Sequence, residues 1–257
     1  MHAHFHALQL GLDPPALLIL GNLLWVVAYV LIIRAGFRDR AYGVPLVAIC
    51  LNITWEAFFF FSCPTVPRCA DPASVQCLCS PPDATGRIIL TLWVALDSII
   101  LFQVLRFGRR WQNTEQLRRH FSGIVLVLLG MGLLWHRSFV TFYEDQNGIE
   151  DAWIINLLMS MLFVVVLFLR PGAQALSLPA AWAKMLGSAL NAAGLLAMEP
   201  FPFPGHSDPT MLYFLFASVF GFDMVYIVLL HRRRGELAAL KAAGRPLPGF
   251  PEEAQPA

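Results

Sequence analysis

Residues 44–61 read VPLVAICLNITWEAFFFF. The run is apolar and close to the roughly 20 residues a helix needs to cross a bilayer. It nevertheless carries Asn52 and Glu56, four apart and so on one helix face. A charge at membrane depth costs about 3 kcal/mol on insertion scales, and such residues usually face a bundle interior or a cavity. Two more apolar runs hold an acid in the same way: Asp97 lies between Arg87 and Leu105, and Asp223 between Met211 and Leu230.

The whole chain has the same character. Of its 257 residues 57% are hydrophobic and 14% charged, and mean hydropathy is +0.61. Soluble domains have roughly 45–50% apolar and about 25% charged residues. The expected class is therefore an all-α polytopic membrane protein, a bundle of seven transmembrane helices. The stretches are about 16–33, 42–61, 87–107, 121–142, 152–169, 180–198 and 211–230. The sixth is the weakest, because Lys184, Ser188 and Asn191 interrupt it. The bundle fills residues 1–231, and 232–257 is expected to be a cytosolic tail, a basic helical stub that becomes Pro- and Gly-rich and largely disordered from Gly244. The start, MHAHFHALQLGLDPP, has no cationic n-region, so the first span is expected to serve as its own anchor. A net charge of +1 suggests no nucleic-acid partner; the lipid bilayer is the expected macroscopic partner.

Basic residues fix the expected orientation. Arg34, Arg38 and Arg40 follow the first span, five arginines from Arg106 to Arg119 join the third to the fourth, Arg170 follows the fifth, and Arg232, Arg233 and Arg234 follow the seventh. The alternate loops are acidic, with Glu144, Asp145, Glu150 and Asp151 in one and Glu199 and Asp208 in another. The positive-inside rule then places the N-terminus outside and the C-terminus in the cytosol. Cys63, Cys69, Cys77 and Cys79 all fall in the outside loop between spans two and three. Four thiols allow three pairings. Cys77 and Cys79 are too close to bridge each other comfortably, which favours crossed or nested pairings to Cys63 and Cys69. Their spacing matches no common zinc pattern, and no metal site is expected, the terminal His2, His4 and His6 included. Cys50, inside a span, is expected only to pack.

Each intramembrane polar residue has an aromatic on its own side of the helix. Trp55 and Phe59 accompany Asn52 and Glu56. Trp93 lies one turn before Asp97, and Phe220 and Tyr226 lie three residues either side of Asp223. Asn22, Trp25 and Tyr29 form a stripe in span one, and span five offers Trp153 and Asn156. At 1.5 Å per residue, Glu56 lies roughly 8 Å, Asp97 roughly 15 Å and Asp223 roughly 18 Å below the outer boundary. Side chains lean toward their helix N-terminus, so Glu56 and Asp223 lean toward a common level. The expectation is one oily chamber lined by Glu56, Asp223 and Asp97, with Asp97 alternatively a helix–helix hydrogen bond. Lys184 is expected to snorkel to the cytosolic face. Desolvation and a neighbouring carboxylate both favour the neutral form of an acid. A neutral acid in such a pocket can protonate an epoxide or an alkene, and aromatic faces can stabilise the carbocation that follows.

The segments Asn52-Ile53-Thr54-Trp55-Glu56, Trp93 to Asp97 and Phe222-Asp223-Met224-Val225-Tyr226 resemble the integral membrane terpene cyclases of fungal meroterpenoid pathways, whose bacterial relatives make indole and other hybrid terpenoids. The resemblance runs through all seven spans in order. It implies that Glu56 and Asp223 are the acid pair that starts cyclisation, with Asp97 in a less defined role, and that no metal or other cofactor takes part. It implies a prenylated small-molecule substrate with a farnesyl-like tail, an upstream prenyltransferase, and an epoxidase where an epoxide is used. The cysteine-bearing loop departs from the fungal pattern and points to a bacterial branch in a cytoplasmic membrane.

The expected activity is thus proton-initiated terpene cyclisation, an isomerase or intramolecular-lyase reaction, with Asn52, Trp55 and Trp93 orienting or stabilising. The rival is a small proton-coupled transporter, which midplane acids also serve; no internal repeat supports it. A retinal protein would need a Schiff-base lysine, and span seven has none. A ligand-binding receptor is the third reading.

Overall fold

The computed structural model describes residues 13–62, 84–143, 145, 147–198 and 210–248. Cys63, Cys69, Cys77 and Cys79, with the expected disulfides, lie outside the described residues, as do His2, His4 and His6. All regular structure among the described residues is helical. Seven α-helices follow one another: α1 (Pro14–Asp39), α2 (Leu46–Ala57), α3 (Ala84–Phe107), α4 (Glu115–Tyr143), α5 (Ile149–Leu169), α6 (Leu178–Ala197) and α7 (Thr210–Ala242). A π-helical turn, Phe58–Ser62, extends α2, and a 3₁₀ turn, Gly108–Trp111, follows α3.

Local sequence explains the ends. Pro14 and Pro15 open α1, where missing N–H groups cost nothing. Ser177 caps α6 by accepting the N–H of Ala180. Gly148 holds a left-handed φ of 66° before α5, a conformation glycine adopts without penalty. Five helices, α1, α3, α4, α5 and α7, are long and apolar enough to cross a membrane. The apolar helical stretch Leu46–Phe61 is shorter. α6 is not among the five, but it forms as a continuous helix of 20 residues. α7 runs without a break past Arg232–Arg234 to Ala242, through the basic segment expected as a helical stub.

Packing is inside-out relative to a soluble protein. Large apolar side chains such as Leu23, Val27, Leu126, Val127, Phe168 and Phe214 point outward, while Glu56, Asp97, Gln103, His136, Asp151 and Ser160 are fully buried. This arrangement and the helix lengths suggest an integral membrane protein. α1 packs most extensively on α6. The reason is small residues: a Cβ on Gly187 would sit 2.9 Å from the Gly21 carbonyl oxygen and 2.9 Å from Trp25 Cδ1. Close backbone approach through glycine is a common way for helices to associate in lipid. Here it presses the Trp25 stripe of α1 against the polar face of α6.

Asp151 and Arg170, both expected in loops, are interior. Asp151 lies in the first turn of α5, fully buried. Arg170 is 3% exposed; it donates to the Tyr42 and Gln174 carbonyls and lies over the Tyr42 and Trp111 rings. Both find enough partners to replace water, which is the condition for burying charge.

Candidate active site

One cavity of about 230 Å³ opens between the first halves of α1, α3 and α5 and the later halves of α2 and α6. Asn22, Trp25, Asn52, Trp55, Glu56, Trp93, Trp153 and Asn156 all line it. So do Tyr29, Asn147, Ser188 and Asn191, which the sequence reading did not place among the site residues.

The acidic end is built on one amide. Asn52 and Glu56 share a face of α2, and Asn52 Nδ2 lies 2.8 Å from Glu56 Oε1. The same nitrogen lies 2.8 Å from Asp97 Oδ2 on α3 and 2.9 Å from Tyr29 Oη on α1. Tyr29 in turn donates to Glu56 Oε1 at 3.5 Å. Three helices therefore converge on a single donor group. An amide has only two N–H hydrogens, so its three acceptors compete. Glu56 Oε2, Asp97 Oδ1 and Trp93 Nε1 are buried without a partner. Such groups are uncommon in a settled structure and call for an explanation.

Glu56 borders the cavity, whereas Asp97 stands behind it and does not. Asp97 thus makes the interhelical hydrogen bond that was its alternative reading, and that bond reaches the hydrogen-bond partner of Glu56.

Asp223 does not join them. Lys184 Nζ lies 2.8 Å from both of its carboxylate oxygens and 2.7 Å from Ser160 Oγ. The expectations that Asp223 shares a chamber with Glu56 and that Lys184 snorkels outward are both corrected by this pair. The physical reason is that an ammonium and a carboxylate buried near one another stay charged most cheaply by pairing. Trp25 borders the cavity on one side and carries Lys184 Nζ 5.4 Å from its ring centroid on another. Phe220 is 51% exposed on the outer side of α7, because the inward face of that helix is taken by Phe216, Val219, Asp223 and Tyr226. Tyr226 is buried against Phe163, ring centroids 5.1 Å apart, away from the cavity. Phe59 is buried behind the cavity wall, against Trp55 at 4.9 Å.

The rest of the wall is aromatic and amide. Trp55 donates its indole N–H to the Gly148 carbonyl at 3.0 Å, tying α2 to the start of α5. Asn156 donates to Ser188 Oγ, and Asn191 to Asn22 Oδ1, each at 3.0 Å. The signal for the α6 contribution was present in the sequence. Ser188 and Asn191 read as defects in a span, and defects of that kind are residues that need a polar interior.

A second buried polar cluster lies behind α2. His136 Nδ1 is 2.6 Å from Asp151 Oδ2, and Trp135 Nε1 donates to Asp151 Oδ1 at 2.9 Å. On its other side His136 Nε2 is 3.0 Å from the Leu51 carbonyl and 3.0 Å from Thr54 Oγ1. A carbonyl only accepts, so Nε2 carries a proton. The cluster fixes the backbone turn that presents Asn52 and Glu56. Nothing in the sequence separates His136 from any other polar residue in an apolar helix. Among the described residues there is no group of His, Cys, Asp and Glu arranged to hold a metal ion.

A family model described as Pyr4-like transmembrane terpene cyclases matches residues 7–234. Terpene cyclase macJ of Penicillium terrestre is 25% identical over 221 residues, covering 83% of this chain and 79% of that protein. Pyr4-family terpene cyclase mfmH of Annulohypoxylon moriforme is 28% identical over 157 residues, 60% of this chain and 58% of that one. Terpene cyclase pyr4 of Aspergillus fumigatus is 23% identical over 215 residues, 82% of each chain. No solved structure matches. With a transmembrane family model covering nearly the whole chain, and with an acid set in an aromatic cavity between its helices, the chain belongs to the Pyr4-like transmembrane terpene cyclases.

Proposed function

We propose that this cyclase starts its reaction by passing a proton from Glu56 to the epoxide oxygen or terminal alkene of a farnesyl-like chain carried on a small acceptor. The observation that carries this reading is the position of Glu56: it is fully buried, borders the cavity, and has one oxygen without a partner. Glu56 acts in its neutral form, because two carboxyl groups gathered around the Asn52 amide are costly to charge together. The proton leaves Glu56 as the epoxide C–O bond or the alkene π bond opens. The cation then forms a C–C bond with the next alkene of the chain. Asn52 and Tyr29 donate to the carboxylate left behind. Trp25, Trp55, Trp93 and Trp153 face the migrating positive charge and keep water away. Return of a proton from the last cation to Glu56 closes the cycle, and the reaction is a net isomerisation without cofactor.

In this reading Asp97 holds Asn52 and keeps Glu56 neutral, and Asp223 with Lys184 supports the Trp25 wall. All seven helices cross the bilayer with the N-terminus outside, and the prenyl tail enters from lipid. A prenyltransferase supplies the substrate, preceded by an epoxidase where the epoxide is used.

The test is turnover of epoxidised and plain farnesylated phenols by membranes carrying Glu56→Gln. Loss of roughly 10²–10⁴-fold is expected for removing a general acid. Near-native product formation by that variant would refute the mechanism, and substrate uptake into proteoliposomes without product would favour the transporter reading.

A further inference from the structure

The end of the bundle away from the cavity carries a second recess. It is a cleft of about 730 Å³ whose lining includes the paired Arg38 and Asp39 together with Arg40, Arg110, Arg234 and Lys241. It lies where α1 ends and α7 emerges, and α1 alone puts about 30 Å between Leu18 in the cavity and Asp39 here. The cleft therefore owes nothing to the cyclisation site.

Its charge is unbalanced. Among the described residues its one carboxylate, Asp39, is already engaged by Arg38 at 2.7 Å and by the Ala175 N–H at 2.8 Å. Arg234 donates to the Leu176 carbonyl through one terminal nitrogen, while its Nε is buried without a partner. Arg40 and Lys241 make no ion pair among the described residues, and Arg110 only lies over the Phe107 ring, 5.4 Å from its centroid. Snorkelling arginines at a membrane boundary need no cleft and no buried nitrogen.

The backbone adds an independent mark. Arg40, Ala173 and Ala175 are the three non-glycine residues with positive φ among the described residues, at 48°, 51° and 59°. Arg40 and Ala173 line the cleft, and Ala175 donates to Asp39. Left-handed backbone outside glycine is uncommon and collects at functional sites. Arg40 closes α1 in a conformation that glycine or asparagine would adopt more cheaply. That position holds a guanidinium instead.

We propose that this cleft is an anion site for a phosphate group. Four cations with one internally satisfied carboxylate select a group of more than one negative charge, and guanidinium forks match phosphate oxygens in pairs. Basic pockets between helix ends on the cytosolic side are suited to anionic lipid headgroups. A soluble phosphate ester offers the same oxygens, so the two sources need separate arms.

The experiment uses the full chain purified in detergent and native mass spectrometry with short-chain phosphatidic acid or phosphatidylcholine, each with and without added pyrophosphate. The native protein is expected to retain phosphatidic acid over phosphatidylcholine. The double variant Arg110→Gln/Lys241→Gln should retain at least about tenfold less. The double variant Arg109→Gln/Arg119→Gln, which removes two cations from the same end but outside the cleft, should bind like the native chain. Displacement of the lipid by pyrophosphate assigns the site to soluble phosphate compounds, and its absence assigns it to lipid. Equal losses in the two double variants would reduce the effect to bulk charge and overturn the site, as would undiminished binding by the cleft variant.

Discussion

Lys184 on α6 and Asp223 on α7 form a buried ion pair, the ammonium 2.8 Å from both carboxylate oxygens. A buried pair is weak evidence of stability in itself, but removing one member strands the other charge. Lys184→Met is therefore expected to destabilise the protein by about 3–5 kcal/mol, and Lys184→Met/Asp223→Leu to recover most of that loss. Denaturant unfolding in detergent measures both.

The same pair separates two roles for Asp223. As a support for Trp25, Asp223 is dispensable once its lysine partner is gone, so the double variant should keep turnover within about tenfold of native, a loss of under about 1.4 kcal/mol in barrier terms. A double variant that is folded but inert would return Asp223 to the chemistry. Turnover with a farnesylated phenol, beside an unfolding curve, decides the matter.

Asn52 is the point where Glu56, Asp97 and Tyr29 meet. Asn52→Leu is close in size but removes the donor shared by all three. Hydrogen bonds to charged groups are worth about 1.5–3 kcal/mol, and the loss should appear as roughly 10–100-fold lower turnover with the protein still folded. Unchanged turnover would mean that Glu56 does not depend on the amide.

His136 joins α4 to Asp151 of α5 and to the Leu51 carbonyl of α2. His136→Phe leaves a buried carboxylate with only Trp135 as side-chain donor, and should cost about 3–5 kcal/mol. Because the cluster holds the turn carrying Asn52 and Glu56, turnover per folded molecule should fall as well. Paired measurements of stability and specific activity test the two parts separately.

Asp145 gives a pH signature outside the spans. Its carboxylate accepts the Ile149 and Asp151 N–H groups at 3.0 and 2.9 Å at the start of α5, yet burial pushes it up to about 6. An unfolded Asp titrates near 3.9. The folded state therefore binds the extra proton, and stability contributed below about pH 4 is lost as pH rises to about 6, by on the order of 2–3 kcal/mol. Asp145→Asn should flatten that slope relative to native. Unfolding midpoints across this range would show it, and parallel curves would contradict it.

Gly187 of α6 sits against Gly21 and Trp25 of α1. One methyl group there, in Gly187→Ala, must separate the two helices and should cost about 1–3 kcal/mol. Trp25 moves with the helix, so cavity shape and product distribution should change too. A product profile identical to native would show that the α1–α6 contact does not set the cavity wall.

By itself the sequence determined the all-helical class, the seven α-helices among the described residues and most of the cavity wall. Apolar length marks a membrane helix, and a polar residue in that length must turn inward, so Asn22, Asn52, Glu56 and Asn156 were legible from the expense of leaving them in lipid. Helical spacing also joined Asn52 to Glu56, because a four-residue interval is a local property of one helix. Only the tertiary structure decided which acid stands with which. Depth along a helix gives a level but no direction across the bundle. A neighbouring helix supplied Lys184 to Asp223, whereas Glu56 meets Asn52 of its own helix and, through that amide, Asp97 of α3. The partner of a buried charge is chosen by rotation and packing of whole helices, here through contacts as small as Gly21 on Gly187, and no one-dimensional pattern records that choice.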